Sequence, residues 1–414
     1  MDDSERNLPR RGYLRGLVAA GGATAVAACL DATEDSAVPT GTPGERPARQ
    51  HAWNDALGTD EDGNLRPPEH HVLLSLSLPG FPDQQARETA ESAFRSLEAA
   101  YAYDTEGLLF TVGYTPSYFE RVGAEAPIPE PRPLTSLESP AFDEFDALVH
   151  LASDNPDVVL VAEKALLGDR RRPNGVEMEA TLAGVFESAQ PRRTGFVGPG
   201  LPAQHTELDG VPDSVPQDAP FFMGFRSGFR ESQATEDRVT IGSGPYAGGT
   251  TTHVESIDLQ LQTWFEQDNH VQRVAKLFSP EHASEELVGD VGEKLDTSTG
   301  VAGGIADETA EDARTEGVVG HAQKAARARD DDGRPPLLRR DFNTVDRERP
   351  GVHFLAHQQT IADFVRAREA MAGEDLAGEG IGQRLNNGIL QYIFVRRRGN
   401  YLVPPRGKRA LPAL

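Results

Sequence analysis

Hydrophobic and polar residues recur along the chain with two different periods, and their order predicts the fold. Residues 71–78 alternate as in a strand and end at Pro79 and Gly80. Apolar residues then recur at helical spacing over residues 84–102. Two further strands and one helix follow, at residues 107–115, 146–152 and 155–167. This order predicts a ferredoxin-like half over residues 70–245.

A similar order of elements begins again near Gly249. Residues 250–259 alternate like a strand and lead into a helix that carries Trp264. Residues 352–357 predict a strand, a helix follows from Ile361, and residues 401–403 close the sheet. We therefore expect a second ferredoxin-like half over residues 246–405 and a tail at 406–414. The fold class is α+β, with two antiparallel sheets, helices outside and a pocket at the junction of the halves.

Two segments show neither period. Residues 30–69 are rich in Thr, Pro, Gly, Asp and Arg, which predicts a disordered linker. Residues 283–318 are acidic and rich in Gly and Thr, which predicts an exposed loop or insertion.

Residues 1–29 have the pattern of a twin-arginine lipoprotein signal peptide. Arg10 and Arg11 precede an apolar run at residues 16–28 that is too short to span a bilayer comfortably. Cys29, the single cysteine, follows a small residue as in a lipobox, so we expect it to be lipidated. The alternatives are a thiol in a discarded leader and a retained N-terminal anchor helix. The pattern predicts export by the twin-arginine route to the outer face of the cell membrane.

The charge of the chain indicates solubility in concentrated salt. The net charge is −24, from 65 acidic and 41 basic residues, and arginine greatly outnumbers lysine. Surface carboxylates repel one another less when salt screens them, so we interpret the composition as halophilic, with an ordinary acidic protein as the alternative. Nucleic acid and anionic membrane surfaces are excluded as partners, because both would repel the chain. Contact with the membrane is expected through the lipid anchor only.

Candidate chemistry is concentrated between His321 and Asp341. His321 lies on a predicted helix, which Gly333, Pro335 and Pro336 break before Arg339 follows. An imidazole can hold haem iron on one face, and an arginine can reach the opposite face, where charge develops during peroxide cleavage. Zinc, P-loop and α/β-hydrolase sites lack their signatures, because no CxxC, HExxH, Walker loop or GxSxG occurs.

Five motifs in order make residues 70–405 resemble the dye-decolourising peroxidases, haem proteins built from two ferredoxin-like halves of the dimeric α+β barrel type. The segment from Phe221 to Gly228 is similar to the GxxDG segment of that family. The other four motifs are the strand and helix from Gly248 to Trp264, His321 followed by Leu337-Leu338-Arg339-Arg340, the strand from Gly351 to Gln358, and Asn400-Tyr401-Leu402-Val403-Pro404-Pro405.

The resemblance implies a peroxidase that holds haem b, and the pattern of residues 1–29 predicts that it is exported. It implies that His321 is the proximal iron ligand and Arg339 the distal arginine, with Arg340 as the register alternative. Its motifs also imply that Phe354, Gly224 and Gly228 bind the cofactor, together with Arg339. Hydrogen peroxide and an unknown electron donor are the implied partners, and an oligomer is compatible with the sequence.

One residue departs from the family pattern. Ser227 stands where GxxDG has its aspartate, and a hydroxyl is a poor general base near neutral pH. Three interpretations follow: the arginine suffices, a nearby group such as His353 or Glu231 substitutes, or the chain is a non-catalytic or degenerate haem-binding protein. Ser227 is therefore kept among the candidate catalytic residues.

The other histidines are expected to be structural. We expect His70, His71 and His282 at the surface, and His253, His353 and His357 in satisfied core or rim positions on strands.

Overall fold

The computed structural model describes residues 38–301 and 304–412. The strands of this part of the chain are β1 (His70–Ser77), β2 (Leu109–Tyr114), β3 (Ala141–Phe142), β4 (Ala147–Ser153), β5 (Glu187–Ser188), β6 (Arg193–Phe196), β7 (Thr250–Leu259), β8 (Leu338–Arg339), β9 (Phe342–Thr344), β10 (Gly351–Gln358) and β11 (Ile393–Val403). The α-helices are α1 (Gln84–Ala100), α2 (Pro116–Arg121), α3 (Pro156–Leu167), α4 (Leu261–Gln267), α5 (His270–Leu277), α6 (Pro280–Ser284), α7 (Gly304–Asp307), α8 (Thr309–Thr315), α9 (His321–Ala326) and α10 (Ile361–Ala372).

All the strands of the described residues belong to one sheet, which closes on itself. The order is β2-β4-β1-β6-β9-β10-β7-β11-β3, and a further pairing of β2 with β11 joins the two ends. Every pairing is antiparallel except that of β3 with β11. The predicted α+β class with two ferredoxin-like halves is confirmed, but the two predicted sheets are joined into a single barrel-like sheet.

Alternation along each strand divides the side chains between the helices and the barrel interior. On β1, Val72, Leu74 and Leu76 pack in the same apolar cluster as Phe94 and Leu97 of α1. Leu73, between them, belongs to a separate cluster in the barrel interior, together with Leu148, Val254, Phe342, Leu355 and Tyr401. The helices therefore cover the outside of the sheet, as the apolar periodicity predicts.

Helix ends follow local capping rules. The side chain of Asp83 accepts a hydrogen bond from the backbone N–H of Ala86 and so caps α1. Asn155 caps α3 in the same way, Pro156 occupies its first turn, and Gly168 ends it in the left-handed conformation.

Histidines predicted to lie at the surface are buried, which corrects the sequence-based expectation. His70 and His71 are 1% and 0% exposed, and His282 is 1% exposed. His71 Nδ1 is hydrogen-bonded to His150 Nε2 at 2.9 Å, and the His71 ring stacks on Phe342 inside the barrel. A polar residue at a strand start does not reveal that the sheet closes around it, so these positions are not predictable from the local sequence.

The predicted disordered linker is wrong for residues 38–69, which are folded onto the barrel. Trp53 is 1% exposed and packs with Leu57, Leu109 and Ala152. The buried Gln50 side chain donates to the carbonyl oxygens of Val112 and Pro404 and accepts from the Val112 N–H. Residues 38–69 show no hydrophobic period because they contact the barrel through isolated side chains and not through one continuous face.

Two further segments are also packed. In the predicted tail, Arg409 is 1% exposed and forms ion pairs with Glu98 and Glu91 on α1, so residues 406–412 belong to the fold. In the predicted exposed loop, Val288, Val291 and Val301 are buried, and helices α7 and α8 form.

No helix of the described residues is long and apolar enough to cross a membrane. The predicted signal peptide, Cys29 and residues 30–37 lie outside the described residues.

Neutral histidines inside the barrel should make the fold sensitive to acid. Burial lowers the pKa of His150 to about 3 and that of His51 to about 4, whereas an unfolded chain has about 6.5. Below that pH the unfolded chain binds protons that the folded chain does not, so the free energy of unfolding falls as pH falls. The slope is roughly 1.4 kcal/mol per pH unit for each histidine.

We expect His150→Phe to weaken the pH dependence of the free energy of unfolding by about the contribution of one histidine. Urea titrations between about pH 6 and about pH 5 measure this dependence. Carboxyl groups of ordinary pKa titrate mainly below this window, and comparison with the wild type cancels their remaining effect. Equal slopes in the two proteins would contradict the assignment of His150 as a buried neutral group.

Candidate functional site

His321 is the first residue of α9, and two glycines determine where it lies. A Cβ atom on Gly320 would be 1.7 Å from the carbonyl oxygen of Phe278, at the end of α5. A Cβ atom on Gly388, whose φ is +60°, would be 3.1 Å from Cα of His321. The backbone of His321 therefore lies against two segments that approach too closely for any larger residue at these two positions.

Buried polar side chains anchor α9 on either side of His321. Gln323 accepts from the Gly320 N–H at 3.1 Å and donates to the Ile305 carbonyl at 2.9 Å. Lys324 Nζ donates to the carbonyl oxygens of Met371 and Asn387 at 2.6 and 3.0 Å, which ties α9 to the end of α10. A helix of only six residues is thus held by tertiary contacts.

The imidazole of His321 is neutral and has no hydrogen-bond partner among the described residues. Burial, together with the positive charges of Lys324, Arg339 and Arg368, lowers its pKa to about 3. Nδ1 is buried without a hydrogen-bond partner, and Nε2 makes no hydrogen bond to a described residue either. A neutral, unengaged imidazole is the form that binds a transition metal.

Arg339 lies on β8, on the side of the sheet that α10 covers. It is paired with Ala356 of β10, so its side chain shares a face with Ala356 and Phe354. Its backbone N–H donates to Gln233 Oε1 at 2.7 Å, and its side chain is 26% exposed. Its charge lowers the pKa of His321, so the structure brings the two predicted residues within electrostatic range of each other.

Asp341 is a site residue that the sequence analysis missed. The register of β8 and β9 against β10 continues unbroken, which puts Asp341 on the same face as Arg339 and Phe354. Its Oδ2 is 3.4 Å from Nη1 of Arg339, and its Oδ1 is buried without a hydrogen-bond partner among the described residues. Burial raises the pKa of this carboxyl group. The two-residue spacing from Arg339 is the signal that could have found it.

Apolar side chains form the wall between the strand and the helices. Phe354 is half-buried, and its ring centroid is 6.0 Å from that of Phe364 on α10. Ala328, Leu337, Ala356 and Ala367 complete this cluster. Such a wall suits a flat apolar ligand with polar groups at its two faces.

Of the three residues of the GxxDG-like segment named as candidates, only Gly228 lies close to Arg339. Ser227 is exposed, and its hydroxyl makes no hydrogen bond to a described residue. Gly228 is close to the site, because a Cβ atom there would be 3.6 Å from Nε2 of Gln233, whose Oε1 accepts from Arg339. A Cβ atom on Gly224 would instead be 3.4 Å from Phe265 of α4 and 3.4 Å from Pro216.

Residues on the opposite face of the same strands point into the barrel. Arg340 Nη2 donates to Asn54 Oδ1 at 2.7 Å, and its guanidinium lies 5.9 Å from the centre of the Trp53 ring. His353 is hydrogen-bonded to Ser256 and to Asp346, at 3.1 and 3.0 Å. The strand register therefore separates Arg339 from its register alternative, Arg340.

His253 is held in a charged network and is not free to bind a ligand. Its ring stacks on Phe364 at 3.6 Å and is hydrogen-bonded to Asn400 and Glu255. Glu255 also accepts from Arg398. In the part of the chain that the structure describes, no group of three or more His, Cys, Asp or Glu side chains is arranged to hold a metal ion.

Comparison with solved structures identifies the fold. A dye-decolourising peroxidase from Bacteroides thetaiotaomicron matches with a TM-score of 0.54 and 14% identity, over 89% of this chain and 99% of that chain. DyPB from Rhodococcus jostii matches with a TM-score of 0.54 and 16% identity, over 88% and 98%. The dye-decolorizing protein from V. cholerae matches with a TM-score of 0.52 and 13% identity, over 86% and 98%. The chain therefore has the fold of the dye-decolourising peroxidases.

No curated protein matches the sequence. The model of a family of unknown function, DUF7405, matches residues 68–405. The chain belongs to this family, and its fold is that of the dye-decolourising peroxidases.

Proposed function

We propose that the protein is a haem-dependent peroxidase of the dye-decolourising type, with His321 as the iron ligand and Arg339 on the peroxide side. The observation that carries this proposal is the neutral, unengaged imidazole of His321 within electrostatic range of Arg339. Structures of the Rhodococcus jostii relative are described as complexes with heme, which supports the same cofactor here.

The residues present fit a haem group. Two buried polar atoms, Nδ1 of His321 and Oδ1 of Asp341, have no hydrogen-bond partner in the described chain, although such atoms are rarely left unpaired. The half-buried Phe354 and its apolar neighbours supply a wall for the macrocycle. In this arrangement His321 would hold the iron, with Phe354 and Gly228 near the ring.

Haem supplies the electron transfer that cleaves the O–O bond of peroxide, and an unidentified donor restores the electrons. The chain supplies the charge and the shape of the site. Burial keeps His321 neutral, so the ring can bind iron without first losing a proton. Arg339, a permanent cation, stabilises negative charge that develops on the departing oxygen.

A second candidate function is a haem carrier or sensor on the same scaffold. The observation that favours it is Ser227, which is exposed and offers no carboxylate where the related family has one. The rate of peroxide reaction separates the two candidates, because a carrier binds haem without turning over peroxide.

We also propose export by the twin-arginine route, lipid attachment at Cys29 and function at the outer face of the cell membrane in a high-salt setting. Arg10, Arg11, the short apolar run and the single cysteine support this proposal. The net charge of −24 supports the halophilic part, since salt screens repulsion among the carboxylates.

Loss of the imidazole should remove or shift the haem absorption. We expect the full chain, produced with haem, to show a Soret band that His321→Ala abolishes or displaces, because the iron loses its axial ligand. His270→Ala is the matched control, since His270 is hydrogen-bonded to the Gly289 carbonyl and should leave the band unchanged. An unaltered spectrum in His321→Ala would contradict the assigned ligand.

Removal of the distal cation should slow the chemistry and leave the cofactor in place. We expect Arg339→Ala to keep the Soret band and to lower the rate of reaction with hydrogen peroxide by about 10²–10³-fold, the usual effect of losing one stabilising donor. Arg334→Ala, an exposed arginine in the preceding loop, is the control. A stopped-flow rate that is the same in Arg339→Ala and wild type would refute the role of Arg339.

Lipid attachment at the sulfur of Cys29 predicts that this residue determines whether the exported protein stays with the membrane. We expect the full chain in the membrane fraction of its host, and Cys29→Ala in the soluble exported fraction, because the thiol that carries the lipid is lost. Arg10→Lys with Arg11→Lys should leave the protein inside the cell. A Cys29→Ala variant that remains with the membrane would point to an anchor helix instead.

A further inference from the structure

We propose that Asp341 is the general acid–base residue of the peroxide site, in the role that Ser227 cannot fill. This inference rests on the proposed peroxidase function. Asp341 lies between β8 and β9, beside Arg339. It would transfer the proton in place of the loop that carries Ser227 and Gly228.

The position of Asp341 follows from the strand register. Arg339 is opposite Ala356 and Phe342 is opposite His353, so the intervening Asp341 lies opposite Phe354. Side chains alternate along a strand, and Asp341 therefore faces the same side as Arg339 and Phe354. This is the side covered by α10, since Ala356, Phe354 and Phe364 share one apolar cluster.

Among the described residues, the carboxyl group of Asp341 forms a single, long ion pair with Arg339. Its Oδ2 is at the long distance of 3.4 Å from Nη1 of Arg339, and its Oδ1 is buried without a partner in the described chain. The side chain is 11% exposed. A buried carboxylate oxygen without a donor is costly, which indicates that a group absent from the protein itself completes the site.

Nearby groups partly offset the effect of burial on the pKa of the Asp341 carboxyl group. Burial raises its pKa, and Arg339, its own backbone N–H and Arg340 act in the opposite direction. A carboxyl group with a raised pKa takes up a proton more readily than an exposed one, which favours acid–base catalysis.

The other groups considered for this role are placed elsewhere. Glu231 is exposed, 60% for its side chain, and accepts from the Thr297 hydroxyl. His353 is on the barrel side of β10 and is hydrogen-bonded to Ser256 and Asp346. Ser227 is exposed and has no carboxylate. Glu255 of β7 is opposite Phe354 and so lies on this face too, but it accepts from Arg398 and is hydrogen-bonded to His253. Asp341 is the carboxyl group beside Arg339, between β8 and β9.

The carboxylate of Asp341 would take a proton from one peroxide oxygen. It would return that proton to the other, outer oxygen, which leaves as water with both electrons of the broken O–O bond. Haem would supply the two electrons that reduce the peroxide, and the reducing donor would replace them. Arg339 stabilises the charge on the outer oxygen until the proton arrives.

The test compares Asp341→Asn with Ser227→Ala in the haem-loaded full chain. Asparagine keeps the size of the side chain and removes the proton acceptor, so we expect the rate of reaction with peroxide to fall by about 10²–10⁴-fold while the Soret band stays. Ser227→Ala should react at close to the wild-type rate. Adding Ser227→Asp to Asp341→Asn tests whether a carboxylate on the loop restores the rate.

A second readout does not depend on turnover. Hydrogen cyanide must lose its proton to bind ferric haem, so its association rate reports the acceptor beside the iron. We expect Asp341→Asn to slow cyanide binding and Ser227→Ala to leave it unchanged. Asp341→Glu, which retains a carboxyl group, should keep most of the rate with a displaced pH profile.

The outcomes distinguish this inference from the proposed function. A wild-type chain without a Soret band overturns both. A haem-loaded Asp341→Asn variant that reacts with peroxide and cyanide as fast as the wild type overturns the role of Asp341 alone. If Asp341→Asn does not fold, an Asp341→Glu profile identical to that of the wild type would likewise overturn it.

Discussion

The antiparallel register of β10 against its neighbours is the constraint on which the site depends. Alternation along β8, β9 and β10 puts Arg339, Asp341 and Phe354 on the helix side, and Arg340, Phe342 and His353 inside the barrel. A shift of one residue would exchange these two sets and turn Arg339 and Asp341 away from the helix side. The apolar barrel interior, with Phe342 and Leu355 fully packed, opposes that shift.

The helix side of the site is held by a different kind of contact. Short α9 has little intrinsic stability, and its position depends on the close approach of Gly320 and Gly388 and on the buried ammonium group of Lys324. The same burial keeps His321 neutral. The strands therefore position Arg339 and Asp341, and tertiary contacts of α9 position the imidazole of His321. Nδ1 of His321 and Oδ1 of Asp341 have no hydrogen-bond partner among the described residues. This combination supports the proposal that a bound cofactor completes the site.

Hydrophobic periodicity predicted the bounds of the regular strands and helices closely. It did not predict the burial of segments that have no period. The strands at Thr250–Leu259 and Gly351–Gln358 and the helix at Gln84–Ala100 begin and end close to where periodicity puts them. Residues 38–69 and 406–412 have no period, yet Trp53 and Arg409 are buried. Single side chains that fill gaps between other elements leave no repeating pattern, so their burial depends on a surface that the rest of the chain forms.

By itself, the sequence determined the α+β class, the two ferredoxin-like halves and the candidates His321 and Arg339, because periodicity and motif order are local properties of the chain. Only the tertiary structure decided that one closed sheet joins the halves and that Arg339, and not Arg340, faces the helices. It also placed Asp341 beside Arg339 and left Ser227 exposed. These outcomes depend on strand pairing between residues distant in the chain, and on the desolvation that follows closure of the barrel, neither of which a local pattern contains.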